Sequence, residues 1–319
     1  MENMAKLPGL DQVMESDEYK KHGLKFFGAG AEKLCFKTDA SEKKLIKVNL
    51  NVLRDKILAL VNSPNEGAGE DTDDIAQYEA ELMNGYRNQE QDIIEVFGKE
   101  HVLKKGYFHY KIPITHEVIM TALGERGKDV IDKIGDEVPE VELLVETQNI
   151  ADELVNRDER YTIDFRIPLI RYDQFKDSQN IQEGLYKIEA NVDREIDENL
   201  EKLANKNQYV LKMKVILEKI IEYTKKTGRM VDIFGPGNIT IFLNKDNEFD
   251  FHLVDPILPG MLEKWDKSMS EDKDLRLIRH NYTYYYGVNY MAKKLGLEER
   301  LGRDDLIYFK NAPKFKGFF

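Results

Sequence analysis

The sequence predicts a mixed α+β protein of two lobes, and three observations carry that expectation. Short period-two runs bounded by glycine or polar turns crowd Leu24–Leu50. Longer runs with apolar residues at helical spacing take over from about Asp177. At roughly 150 residues per domain, 319 residues suggest about two domains. Residues 1–172 form the strand-rich lobe in this division and residues 173–319 the helical one.

The elements follow in order. Leu24-Lys25-Phe26-Phe27 reads as a strand stopped by Gly28-Ala29-Gly30, and Leu34-Cys35-Phe36-Lys37 as a second strand. After the polar turn Thr38–Glu42, Lys44–Val48 reads as a third, so the three make an antiparallel meander. Val52–Val61 has helical spacing, Ser63–Asp74 is an acidic loop by composition, and Ile75–Phe97 is a long helix closed by Gly98. Val102–Thr115 looks like strand, Glu117–Ile134 helix, Val141–Glu146 strand and Asn149–Asn156 a short helix. Phe165–Tyr172 is extended, with Pro168 marking an edge or an end. Ile181–Ala204 and Tyr209–Lys226 are helices, the latter strongly amphipathic. Asn244-Lys245-Asp246-Asn247 joins Ile239–Leu243 to Glu248–Val254 as a hairpin. The remainder to Phe309 reads as helix, with Tyr282, Tyr284, Tyr285, Tyr286 and Tyr290 packing it.

Composition removes several classes of function. A net charge of -12 repels phosphate backbones, so nucleic acid is not an expected partner. One cysteine supports neither a disulfide framework nor a cysteine zinc module and suits a reducing compartment. The six histidines show no metal-ligand spacing. No apolar stretch is long enough for a bilayer and no signal peptide is evident, so the expected setting is cytoplasmic, without a membrane partner.

Several features bear on chemistry. Gly28-Ala29-Gly30 is a G-x-G in which bare N–H groups can approach a polyphosphate, although Lys33 replaces a third glycine and, taken alone, the motif is more often an ordinary hairpin turn. Lys47, within a half-buried strand, needs a partner or a polar cleft unless it faces water, and Glu90 on the long helix is a candidate, with Glu79 and Glu95 as alternatives. Met230–Ile241 sets Asp232, a Pro-Gly turn and Asn238 ahead of the hairpin, whose second strand runs on into Asp255. A carboxylate and a carboxamide at this place are hard oxygen donors suited to Mg²⁺, and they are also common turn residues.

This order of glycine loop, strand lysine, helix glutamate, Asp…Pro-Gly-Asn and terminal Asp resembles the protein-kinase-like superfamily, over about residues 24–258. It is nearer to the compact branch of aminoglycoside and choline phosphotransferases, whose catalytic loop often carries Asp followed by P-x-N. The resemblance implies a two-lobed kinase-like fold binding ATP and Mg²⁺ and transferring phosphate to a hydroxyl-bearing acceptor. Gly28 and Gly30 would then cover the phosphates, and Lys47 would hold them, oriented by Glu90. The Leu169–Phe175 run, with Ile170 and Tyr172, would receive adenine. Asn238 and Asp255 would ligate Mg²⁺, and Asp232 would orient or deprotonate the acceptor.

The chain departs from the family pattern in places. Asp232 precedes Asn238 by six residues where the kinase motif has five, which puts Ile233 in the strict catalytic register. Asp255 is followed by Pro-Ile without a glycine, and residues 115–161 look like an insertion. Only 64 residues follow Asp255 and no A-P-E is present, which favours a small-molecule acceptor over a protein. A pseudokinase that binds nucleotide, or serves as a structural module, without turnover is the alternative. A further one is an α+β protein whose Asn and Asp are turn chemistry alone.

Overall fold

The structure, a computed structural model, describes residues 24–29, 33–38, 41–62, 85, 87–103, 105–149, 162–178, 180–203, 207–235, 237–244, 246, 248–257 and 271–311. Gly30, the acidic 63–74 stretch and all but the first residue of the helix expected at Asn149–Asn156 lie outside them. The architecture is mixed α+β. It divides into two compact units: Met1–Asn84 with Leu103–Asn156, and Gly85–Val102 with Arg157–Phe319.

The first unit is built on five antiparallel strands: β1 (Leu24–Ala29), β2 (Lys33–Thr38), β3 (Ser41–Asn49), β4 (Lys105–Pro113) and β5 (Glu140–Asn149). They lie in the order β1-β2-β3-β5-β4, so the last strand in sequence is inserted between the two before it. The pairs Ile46↔Thr147 and Val48↔Val145 set one face of β3 and β5. On that face Val48, Leu143 and Val145 are buried in one apolar cluster with Leu53 and Ile57 of helix α1 (Leu50–Asn62). Ile119 and Val130, from two helices described below, join the same cluster. Each such side chain contributes on the order of 1.5–3 kcal/mol by leaving water.

The second unit begins with a helical segment over 87–97 (α2), which Gly98 ends through its N–H to the Ile94 carbonyl, 3.0 Å. The helix expected over Glu117–Ile134 belongs to the first unit and is two helices, α3 (His116–Leu123) and α4 (Gly127–Ile134), broken after Leu123. These two helices form the connection between β4 and β5. Part of the 115–161 block is β5, a central strand bonded on both sides.

In the second unit a three-stranded sheet orders β6 (Thr162–Asp164), β7 (Ile239–Leu243) and β8 (Phe249–Leu253) antiparallel. The Asn244 side chain closes the β7–β8 turn by accepting from the N–H groups of Asp246 and Glu248. The run from Phe165 to Tyr172 is mostly irregular, although Phe165 and Ile167 still donate to the Ile239 and Ile233 carbonyls. Helices α5 (Tyr172–Lys176), α6 (Ile181–Lys202), α7 (Asn207–Thr227), α8 (Glu271–Lys294) and α9 (Ile307–Asn311) complete the unit. Helix α7 buries the stripe Met213, Ile216, Leu217, Ile220 and Ile221. It also holds α2 through Lys219 to the Val96 carbonyl and Lys226 to Glu95. Gly287 admits Ile167, since a Cβ there would sit 2.5 Å from its Cγ2. Among the described residues no helix is long and apolar enough to cross a membrane.

Candidate functional site

Asp232, Asn238 and Asp255 lie in the second unit on two segments bonded to each other. Val231 bridges Ile257, the Asp232 N–H donates to the Pro256 carbonyl at 2.8 Å, and Val254 N–H donates to the Asn238 carbonyl at 2.7 Å. The buried Tyr284 hydroxyl fixes the start of the first segment, accepting from Val231 N–H and sharing a hydrogen bond with Thr224. Side chains alternate along this stretch: Val231 and Ile233 are fully buried, and Asp232 between them is only half-buried. Ile233 is thereby excluded from chemistry. Between Asp232 and Asn238 the chain turns, with Gly237 at a φ of 82°.

Within the turn Asp232 accepts from the Phe234 N–H at 3.1 Å, and also from the Gly235 N–H and the Asn238 amide. Asn238 donates its amide nitrogen to Asp232. Its side chain folds over Gly235, where a Cβ would lie 2.6 Å from Nδ2. Burial, with the negative charge of Asp255 as a further contribution, raises the Asp232 carboxyl from 3.8 to about 6, against the opposing pull of those hydrogen bonds. Nearby, burial and the charges of Arg279 and Arg276 lower His280 to about 4, and its ring lies edge-on to Phe234. The site thus offers two carboxylates and an amide oxygen. That set fits Mg²⁺, which takes one or two carboxylates and keeps other positions for water and phosphate. Among the described residues no group of three His, Cys, Asp or Glu side chains would hold a metal.

Lys47 lies in the first unit, in β3, opposite Cys35 on one side and Glu146 on the other. Its ammonium is 3.6 Å from Glu146 Oε1, with the two side chains only 5% and 7% exposed. Lys105 from β4 reaches the same oxygen at 3.2 Å, and Lys33 from β2 reaches Oε2 at 3.4 Å. Sequence reasoning did not single out Glu146, Lys105 or Lys33 for this role. The available signal was the alternation Val141, Leu143, Val145, which turns Glu142 and Glu146 to the other face of β5.

The remaining expected residues are placed as follows. Gly28 lies inside β1 opposite Cys35, just after an irregularity in register, so the strand runs through it to Ala29. Glu90 is half-buried on α2, in the second unit. The Ile170 carbonyl accepts from Arg279 at 3.0 Å, and the Tyr172 ring lies against the guanidinium groups of Arg276 and Arg279, 4.5 and 5.4 Å from its centroid. Burial lowers Arg279 to about 10.

Comparison with protein-family models, curated proteins and solved structures returns no match to this chain.

Proposed function

We propose that the chain is an ATP- and Mg²⁺-dependent phosphotransferase of the protein-kinase-like kind, acting on a hydroxyl acceptor. The observation that carries this is the gathering of Asp232, Asn238 and Asp255 by hydrogen bonds between the 231–238 and 254–257 segments. In this reading Asn238 and Asp255 hold the metal, which would neutralise charge on the transferring phosphoryl group. Asp232 holds the acceptor hydroxyl and takes its proton, for which a carboxyl titrating near 6 is better matched than one near 4. Lys47 serves the phosphates from a third strand, the position such a lysine takes in protein kinases. Most of the rate enhancement comes from positioning and charge neutralisation.

The test is transfer of labelled γ-phosphate from ATP to a panel of small alcohols and to a generic protein, with ATP hydrolysis measured in parallel. Loss of turnover in both Asp255→Ala and Asp232→Ala supports the assignment. Turnover unchanged in Asp255→Ala removes the metal role. One observation favours the pseudokinase reading: Asp232 is already engaged by two backbone N–H groups and Asn238, as a purely structural turn residue would be. Binding of Mg·ATP without transfer to any acceptor or to water would select that reading.

A further inference from the structure

We infer that His280 is an acceptor-binding residue: its Nε2 takes a hydrogen bond from a second hydroxyl of the substrate, which makes the acceptor a polyhydroxy compound without an ammonium group. This rests on the phosphotransferase reading and names the class of compound that Asp232 would meet.

One residue lies between the two side chains. The Asp232 carboxylate is 3.1 Å from the Phe234 backbone nitrogen, and the Phe234 ring is 5.7 Å from the His280 ring, edge-on. Burial alternates along the segment: Val231 and Ile233 enter the core, while Asp232 and Phe234 are half-buried together. His280, half-buried against Phe234, stands on that same side.

The tautomer of His280 is set by its helix. Nδ1 lies 2.8 Å from the Arg276 carbonyl oxygen, and a carbonyl only accepts, so Nδ1 carries the proton. Nε2 is then a bare lone pair unless the ring is charged. Burial opposes that charge, as do Arg279 and Arg276, and the group is lowered to about 4. Nε2 has no hydrogen-bond partner among the described residues, and the half-buried ring leaves it open to solvent. Such an imidazole accepts and cannot donate, so it selects a hydroxyl or an amine. The arginines decide between the two. Arg276 lies one turn before His280 and Arg279 directly before it, both against the Tyr172 ring, and Arg279 is held by the Ile170 carbonyl. Asp173 offsets part of this charge but is itself paired with Arg171. An ammonium group at Nε2 would face two guanidinium groups, whereas a hydroxyl meets no such repulsion. The apolar Phe234 ring between carboxylate and imidazole suits the carbon skeleton that joins two hydroxyls.

The experiment compares Mg·ATP-dependent transfer to hexane-1,6-diol, hexan-1-ol and 6-aminohexan-1-ol, which share one chain length. Wild type, His280→Phe and His280→Gln are assayed, with ATP hydrolysis read alongside. In wild type the diol should exceed hexan-1-ol in kcat/KM by about fivefold, the worth of one hydrogen bond, and the amino alcohol should be poorest. His280→Phe keeps a ring against Phe234 without a lone pair, so the preference should vanish apart from the factor that two equivalent hydroxyls give. His280→Gln, whose amide oxygen accepts, should restore much of it. A residue that only packed α8 would slow both alcohols alike and leave their ratio unchanged. Equal kcat/KM for the diol and hexan-1-ol in wild type, a preference that survives His280→Phe, or an amino alcohol better than the diol overturns the inference. Turnover under any of these results leaves the phosphotransferase reading in place. If no substrate turns over, imidazole nitrogen NMR of the metal-free protein at pH 7 decides. Nε2 should resonate as an unprotonated nitrogen and move upfield with the diol but not with hexan-1-ol. That shift keeps the polyol site and removes transfer; its absence, or a protonated Nε2, overturns the site.

Discussion

Replacing Asp232 by Asn should abolish phosphate transfer and, in the metal-free protein at pH 7, make the fold more stable. Folding raises this carboxyl from 3.8 to about 6, chiefly by burial. Between those values the folded state holds a proton that the unfolded state has lost, so stability falls as pH rises through the window. A shift of roughly two units corresponds to about 3 kcal/mol at pH 7. Asn removes that cost but offers one acceptor oxygen to three donors, the Phe234 and Gly235 N–H groups and the Asn238 amide, a loss of about 1–2 kcal/mol. The net expectation is a gain of about 1–2 kcal/mol at pH 7, shrinking to nothing or reversing near pH 4. Urea unfolding of both proteins in EDTA at unit steps from pH 4 to pH 7, followed by far-ultraviolet circular dichroism, reads the difference directly. A gap between variant and wild type that is constant across the range would refute the raised carboxyl, whatever its sign.

Three further outcomes follow from the same geometry. Asp255→Asn removes a negative charge that helps to raise Asp232, so the Asp232 midpoint should fall below about 6 in a carboxyl-carbon NMR titration of the metal-free protein; an unchanged or higher midpoint contradicts the coupling. Gly235→Ala sets a Cβ 2.6 Å from the Asn238 amide nitrogen, so displacing that amide from Asp232 should cost about 1 kcal/mol of stability while the Mg²⁺ concentration for half-maximal turnover rises about tenfold, the cost of one misplaced ligand. Tyr286→Phe deletes the 2.9 Å hydrogen bond from α8 to Asp193 of α6, and should cost about 1 kcal/mol in denaturant unfolding with no effect on transfer.

Local pattern made much of the second unit legible. The stripe Met213, Ile216, Leu217, Ile220 and Ile221 announces α7, and the polar run from Asn244 announces the β7–β8 turn. The partner of that hairpin was not legible, because β6 has only three residues and too little alternation to register as a strand. The ladder between α8 and α6 was equally hidden. Tyr282, Tyr286 and Tyr290 bond Glu189, Asp193 and Asp197 in matched steps of four, which shows only once the helices are paired. Sequence spacing indicated tyrosines that pack; the acids that receive their hydroxyls come from the tertiary register.

The same distinction explains which half of the candidate chemistry could be read. Asp232 and Asn238 fall within one short turn, and Asp255 follows the hairpin directly, so local sequence nearly dictates their meeting. The contact of Lys47 with Glu146 depends instead on β5 entering between β3 and β4, a non-local pairing that the alternation within β5 does not reveal. Glu90 lies on α2 in the second unit, whereas Glu146 lies on a strand beside β3. A strand placed beside β3 offers a carboxylate with less freedom: its Cβ direction is fixed by the pleat, and both backbones are held by ladder hydrogen bonds. An acid on a sheet therefore needs no helix movement to keep its lysines in position. The arrangement of Lys33, Lys47 and Lys105 around Glu146 is set when the first unit's sheet forms.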